Sequence, residues 1–343
     1  MPKIKTESQY DFKDVLIEPQ RSYLTSRSQV FLERDFRFKH SNYSWQGVPI
    51  IAANMDTTGT FEVYPVLSKN NIITAMNKFY TVEQFQEHKK ILHPEMYMVS
   101  TGISDKDFDK LVGIMNVMDC KWICIDVANG YMDALLKFCQ KVRSRFPNKI
   151  IVAGNVVTRE RVEELILYGG VDVVKVGIGP GSACTTRVKT GVGVPQFSAV
   201  LECAEAAHRI GGHIIADGGI TCPGDMSKAF GAGADFVMMG GQFAGHDENP
   251  GDVIEVDGKK FKEFYGMSSE HAMTKHYGEK KQYRSSEGRH VRIPYKGALI
   301  DTVDDYLGGV RSTCTYVGVR SLEHLSENTI FRIVGQQFNS TFL

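Results

Sequence analysis

The chain has 343 residues, 42% of them apolar and 23% charged, ordinary proportions for a globular protein that buries a core without disulfide staples. Its 40 basic and 40 acidic residues balance, which argues against a surface that grips nucleic acid by neutralising phosphates and leaves a small molecule in a pocket as the expected partner. Seven scattered cysteines do not read as a disulfide framework and point to a reducing cytoplasm; the polar N-terminus has no secretory core, and no apolar run nears the roughly 18 residues of a membrane span.

In chain order, residues 1–47 read as an N-terminal extension. Eight short apolar runs follow: Val48–Asn54, Ile72–Met76, Met96–Thr101, Trp122–Val127, Ile150–Val156, Val171–Val176, His213–Ala216 and Asp235–Met239. Near-continuous apolar strands imply burial on both faces, as in a parallel sheet. Helical patterns lie between them. Ser104 caps a helix with Phe108, Leu111, Met115 and Met118 on one face; Thr158 precedes Val162, Leu165 and Ile166, and Gly169-Gly170 stops that helix. Pro195 opens a helical stretch over Ser198–Ile210, and Pro223 opens a short one ending at Gly231. Strands alternating with helices predict an α/β fold, a closed (β/α)₈ barrel of one domain over residues 1–343. Residues 242–300 are long, polar and weakly periodic, the pattern of a flap or binding loop, and a last helix is expected at about Thr302–Ser312.

Polar and small residues gather where the strands end. These ends are Asn54-Met55-Asp56, Asn77-Lys78, Asp126-Val127-Ala128, Gly154-Asn155, Gly177–Arg187, Asp217-Gly218-Gly219 and Gly240-Gly241. Turn chemistry explains any one of them, but a barrel builds its active site at the C-terminal ends of its strands. Glycines after the seventh and eighth strands suit a phosphate, and Asp217 suits ribose hydroxyls. Gly177-Ile178-Gly179-Pro180-Gly181 lacks the spacing and position of a dinucleotide fingerprint. Cys184 differs from the other cysteines. It sits in that glycine-rich loop beside Ser182, Thr185, Thr186 and Arg187, where N–H groups and cations favour thiolate. Glu287, in the polar cluster Tyr283–Gly288, is a candidate for proton transfer. No histidine pair has metal-ligand spacing, so no catalytic metal is expected.

The run Gly177–Arg187 resembles the cysteine loop of the IMP dehydrogenase/GMP reductase family. Ala52–Thr57, Asp217-Gly218-Gly219, Phe264–Ser269 and Tyr283–Gly288 resemble further motifs of that family, in its order, so the likeness runs from Asp14 to about Val334. Within the family the chain is more similar to the reductase branch. Thr81–His93 leads straight to the third strand, with no inserted regulatory tandem (CBS) module. No Arg-Tyr dipeptide, the water-activating pair of dehydrogenases, occurs. The first strand ends Ala-Asn-Met-Asp-Thr rather than Ser-Pro-Met-Asp.

What the resemblance implies is an NADPH-dependent conversion of GMP to IMP and ammonia, a purine salvage step, through a thioimidate on Cys184. It also implies that Thr186 and Glu287 carry the protons, that the working form is a homotetramer, and that no nucleic acid or membrane takes part. It places Asp217, Gly218, Gly219, Gly240, Gly241, Met267, Ser268, Arg284, Ser285, Ser286 and Gly288 on the nucleotide. It places Lys78, Asp126, Val127 and Ala128 on the nicotinamide cofactor, with Ser26 and Arg27 and, from a neighbouring subunit, Ser312, Thr313, Cys314 and Thr315. It assigns a monovalent cation, K⁺, to Gly179, Gly181, Cys184 and Arg187. The chain departs from close reductases at Asn77-Lys78-Phe79-Tyr80, where they have His-Lys-His-Tyr. The competing expectations are a dehydrogenase without its regulatory module and a nucleotide-binding barrel without turnover.

Overall fold

The structure is a computed structural model that describes residues 3–278 and 286–335. Eight parallel strands close a barrel: β1 (Ile50–Ala52), β2 (Ile73–Met76), β3 (Tyr97–Thr101), β4 (Trp122–Asp126), β5 (Ile150–Val156), β6 (Val173–Val176), β7 (His213–Asp217) and β8 (Phe236–Met239). Each lies inside or within a residue of an apolar run read from the sequence. The closing pair, β8 with β1, is parallel like the rest, and most strand residues are buried on both faces. A helix follows every strand: Tyr64–Ser68, Val82–Glu87, Asp105–Val117, Asp133–Arg145, Arg159–Leu167, Gln196–Arg209, Pro223–Gly231 and Leu299–Val317.

Local chemistry accounts for the helix starts. The Ser104 hydroxyl accepts from the Asp107 N–H at 3.2 Å, and Asp107 returns a bond to the Ser104 N–H at 3.0 Å. Such a reciprocal cap contributes about 1 kcal/mol. The last helix is longer than its sequence pattern, running through Gly308-Gly309 to a left-handed cap at Gly318. A Cβ at Gly309 would lie 2.4 Å from Pro223 Cβ, so that glycine serves close packing against the helix Pro223–Gly231 and does not end its own helix.

Residues 242–300 differ from the loop expected. They form a three-stranded antiparallel sheet (Ile254–Val256, Lys259–Tyr265, His290–Pro294) and a helix (Glu270–Tyr277) before the last helix begins. The sequence hides this sheet because its strands expose one face. Lys259, Lys260 and Glu263 face outward while Phe264 and Tyr265 are buried.

The N-terminal extension closes the other end of the barrel. Arg34–Arg37 and Ser44–Gly47 form a hairpin whose aromatic residues plug the barrel floor. The Phe36 ring stacks on Phe236 at 4.4 Å, Phe38 meets Trp122 edge-on at 5.2 Å, and Trp45 meets Trp122 edge-on at 5.7 Å. Trp122, His213 and Phe236 open their strands, so the hairpin seals the N-terminal face and leaves the C-terminal face open. Val15–Ile17 pairs with Phe331–Ile333, joining the two ends of the chain.

Candidate active site

The loop after β6 turns on itself, with the Cys184 N–H donating to the Gly181 carbonyl at 3.0 Å, and a short helix starts at Thr186. Residues 286–289 lie against this loop like a strand. The Thr185 N–H donates to the Glu287 carbonyl and the Arg289 N–H to the Ala183 carbonyl, both at 2.8 Å, and Cys184 and Gly288 form an antiparallel bridge. Gly288 is also close to a third segment: a Cβ there would lie 2.6 Å from the Ser269 nitrogen. Main-chain pairing thus joins segments about a hundred residues apart.

The result is a chain of three side chains. The half-buried Cys184 thiol donates to Thr186 Oγ1 at 3.1 Å, and that hydroxyl donates to Glu287 Oε2 at 2.7 Å. A hydroxyl both accepts and donates, so Thr186 gives a proton a path between the cysteine and the carboxylate. The remaining cysteines are buried, except the exposed Cys222; burial pushes the thiols of Cys124, Cys139, Cys203 and Cys314 up to about 12, which leaves them protonated and inert.

The glycine-rich strand ends meet this loop. Gly218 and Gly219 take left-handed φ of 86° and 81°. A Cβ at Gly218 would lie 3.1 Å from Pro180 Cγ, and one at Gly241 would lie 2.8 Å from Ser182 Oγ. Gly241 opens a single tight turn, Gly241–Phe243, so its N–H is free of helical partners. The Asp217 Oδ2 atom accepts from Asn155 Nδ2 at 2.8 Å and Lys175 Nζ at 2.9 Å. Met267 is half-buried and its sulfur lies 3.3 Å from the Asp56 N–H, while Ser268 is exposed and the Ser286 hydroxyl donates to the Gly288 carbonyl. Arg284 and Ser285 lie outside the described residues.

At the end of β4, Asp126 and Val127 are half-buried and Ala128 is exposed. The Val127 N–H donates to the Gly154 carbonyl at 3.0 Å. Burial alone would raise the Asp126 carboxyl; the ammonium groups of Lys175 and Lys78 outweigh it and hold the group below its ordinary value. The Lys78 carbonyl accepts from Lys110, and Phe79, one of the departures, stacks on His276 at 3.5 Å. His276, Lys275 and Tyr265 all converge on Oδ2 of buried Asp56, beside a cavity of about 470 Å³ lined by Asn77, Phe79 and Tyr80 among others. That cavity adjoins the mouth and is not lined by Cys184.

Ser26 and Arg27 are exposed on a tight turn that packs against the helix Leu299–Val317 of the same chain, the helix that carries Ser312–Thr315. Thr313 Oγ1 is bonded to Ser227 Oγ at 2.9 Å and Thr315 Oγ1 to the Ser312 carbonyl at 2.7 Å. Cys314 is fully buried and points into the core. Among the described residues no hydrogen bond links this surface to the Cys184 group.

Gly179, Gly181, Cys184 and Arg187 belong to the one loop. Its donors are backbone carbonyls, the hard oxygens an alkali cation takes. The carbonyls of Gly181 and Arg187 each accept one backbone N–H and keep a second lone pair. The Arg187 side chain is turned away, bonded to the Val194 and Ile178 carbonyls and to Asp11. The donor chemistry therefore fits the group. Among the described residues no cluster of three or more His, Cys, Asp or Glu side chains is arranged to hold a metal ion, and no helix is long and apolar enough to cross a membrane.

Reading the sequence alone misses Lys175 as a site residue. It lies in the apolar run Val173–Val176 and is only 2% exposed, yet its ammonium bridges Asp126 and Asp217. The signal was a lysine flanked by valines in a strand buried on both faces, a charge that must find partners.

Residues 9–338 match the family model described as the IMP dehydrogenase / GMP reductase domain. A GMP reductase of Phytophthora infestans is 56% identical over 346 residues, covering 100% of this chain and 95% of the relative. One of Vibrio atlanticus is 55% identical, covering 99% of each, and one of Yersinia pestis is 58% identical, covering 96% of each. With its cysteine loop, its barrel and nearly its whole length in common with these proteins, the chain belongs to the IMP dehydrogenase/GMP reductase family.

Proposed function

We propose that the chain catalyses the reaction its relatives are named for, the reductive deamination of GMP to IMP and ammonia with NADPH, a step of purine salvage. The observation that carries this reading is the connected chain from Cys184 through Thr186 to Glu287 at the open end of the barrel. The Cys184 thiolate attacks C2 of the purine. The 2-amino group departs as ammonia once protonated, and a thioimidate joins C2 to sulfur. Thr186 and Glu287 take up the thiol proton and return one to the leaving nitrogen, which turns one difficult displacement into two easier steps. The reduced nicotinamide supplies, when bound, the hydride that C2 needs before the carbon–sulfur bond breaks.

Asp217 holds the ribose hydroxyls, and Gly219, Gly240 and Gly241 offer N–H groups to the phosphate, with Gly218 beside them and its own N–H turned to the Met238 carbonyl. Met267, Ser268, Ser286 and Gly288 border the purine, with Arg284 and Ser285 assigned there from the sequence. Lys78, Asp126, Val127 and Ala128 line the nicotinamide side. Ser26 and Arg27 complete the cofactor site together with Ser312–Thr315 of a neighbouring subunit in a homotetramer, where the enclosed Cys314 contributes backbone only. K⁺ held by the carbonyls of Gly179, Gly181, Cys184 and Arg187 braces the cysteine loop. The whole chain acts as one catalytic barrel domain in the cytoplasm.

The test follows loss of reduced-nicotinamide absorbance together with ammonia release from GMP, with IMP and NAD run in parallel. Matched oxidation and ammonia, abolished in Cys184→Ala, is expected. Turnover only with IMP and NAD makes the chain a dehydrogenase, and GMP binding without either reaction makes it a binding protein.

A further inference from the structure

Asp126 and Asp217 serve different ligands in the reading above, yet one buried cation serves both. Lys175 Nζ lies 2.6 Å from Asp126 Oδ1 and 2.9 Å from Asp217 Oδ2. Its side chain is 3% exposed, whereas those of Asp126 and Asp217 are 27% and 19% exposed. The lysine is therefore sealed beneath the mouth, and the two carboxylates reach up from it into the solvent-facing site. Burial alone would lower the Lys175 ammonium; Asp126 and Asp217 together hold it well above its ordinary range, so it stays charged. The Lys78 ammonium also favours the charged form of Asp126. The two carboxylates thus share one buried ammonium.

We propose that Lys175 is a positioning residue that couples the cofactor and nucleotide subsites by dividing its charge between Asp126 and Asp217. This inference rests on the assignment of those two carboxylates to the two ligands. Asp217 Oδ2 is held by Lys175 and Asn155, and its Oδ1 makes no hydrogen bond among the described residues, so Oδ1 is the atom left for a ribose hydroxyl. What that oxygen offers depends on how much of the lysine charge Asp217 must neutralise. Removing the charge of Asp126 gives the ammonium wholly to Asp217 and weakens Oδ1 as an acceptor. GMP affinity then depends on a residue of the other subsite, with no cofactor bound.

The experiment is a calorimetric titration of the full chain with GMP alone. The expected result is that Asp126→Asn weakens GMP about five-fold, the low end of measured couplings between sites, at unchanged stoichiometry. Asp126→Glu keeps the charge and binds GMP like the parent chain. Asp126→Asn binding GMP as tightly as the parent overturns the coupling, as does Asp126→Glu weakening GMP to the same extent as Asn, because geometry rather than charge is then responsible. Asp217→Asn separates the two readings. If it leaves GMP affinity untouched, the ribose assignment itself fails; if it weakens GMP while Asp126→Asn does not, only the coupling fails.

Discussion

Thr186 sits between a thiol at 3.1 Å and a carboxylate at 2.7 Å, and a single hydroxyl carries both contacts. Removing Thr186 or Glu287 leaves the proposed nucleophile in place but strands its proton. Glu287→Gln is expected to lower kcat by about 10²- to 10⁴-fold, the range of a general acid–base group, with little change in the KM for GMP. Thr186→Val changes kcat in the same direction. Steady-state kinetics with GMP varied at saturating NADPH checks this; a raised KM at unchanged kcat means that Glu287 merely touches substrate. Cys184 is legible in the sequence because it alone among the cysteines lies in a glycine-rich strand end. Glu287 is less so, because only main-chain pairing of residues 286–289 with the cysteine loop brings it there.

At the scale of elements, the boundaries set by apolar runs and caps are the ones that sequence reading recovers. The eight barrel strands, and the helices begun by Ser104, Thr158, Pro195 and Pro223, lie where their patterns place them. The last helix outruns its pattern at both ends, from Leu299 to Val317, with Gly308-Gly309 inside it. Gly309 tests this. A side chain there gains about 1 kcal/mol of helix propensity, but its Cβ would lie 2.4 Å from Pro223 Cβ, and overpacking costs about 1–3 kcal/mol. Valine adds two methyls to the clash and lacks alanine's propensity. Gly309→Val is therefore expected to lower the urea midpoint, with an unchanged slope; a variant as stable as the parent shows that the two helices separate freely. The three-stranded sheet within 254–294 is hidden for a related reason. Its strands cover one side of the site and leave the other in water, so their composition reads as loop.

The whole barrel is closed at its floor by an electrostatic knot under the aromatic plug. Asp235 is buried, with His208 Nε2 at 2.8 Å, His213 Nδ1 at 3.3 Å and Arg34 at 3.8 Å. Burial alone would lower the His213 imidazole, but Asp235 outweighs it and raises it above its ordinary 6.5. Burial likewise would raise the Asp235 carboxyl, and the two histidines hold it well below the usual carboxylate range. A raised histidine contributes stability that is complete below about pH 6.5 and is lost as pH climbs through the folded value. A depressed carboxyl contributes above about pH 4 and is lost on acidification. The knot is fully effective between those limits. Unfolding free energy from urea titrations is expected to fall as pH rises from about 6.5 towards alkaline values. Asp235→Asn lowers stability throughout and flattens that slope. A parent chain with constant stability over this range shows that His213 is neutral in the fold.

The sequence by itself determined the barrel, and it pointed to the face and the cysteine that the proposed function uses. These follow from short-range rules: apolar runs make buried strands, caps and glycines end elements, and polar residues at strand ends cannot be core. Only the tertiary structure decided which distant groups meet. A lysine among valines became the shared counter-ion of two carboxylates because barrel closure sets β6 beside β7, which ends in Asp217, and two strands from β4, which ends in Asp126. A carboxylate in a polar stretch came within reach of a cysteine because its backbone pairs with the cysteine loop. Such contacts depend on closure and register, which no local pattern encodes.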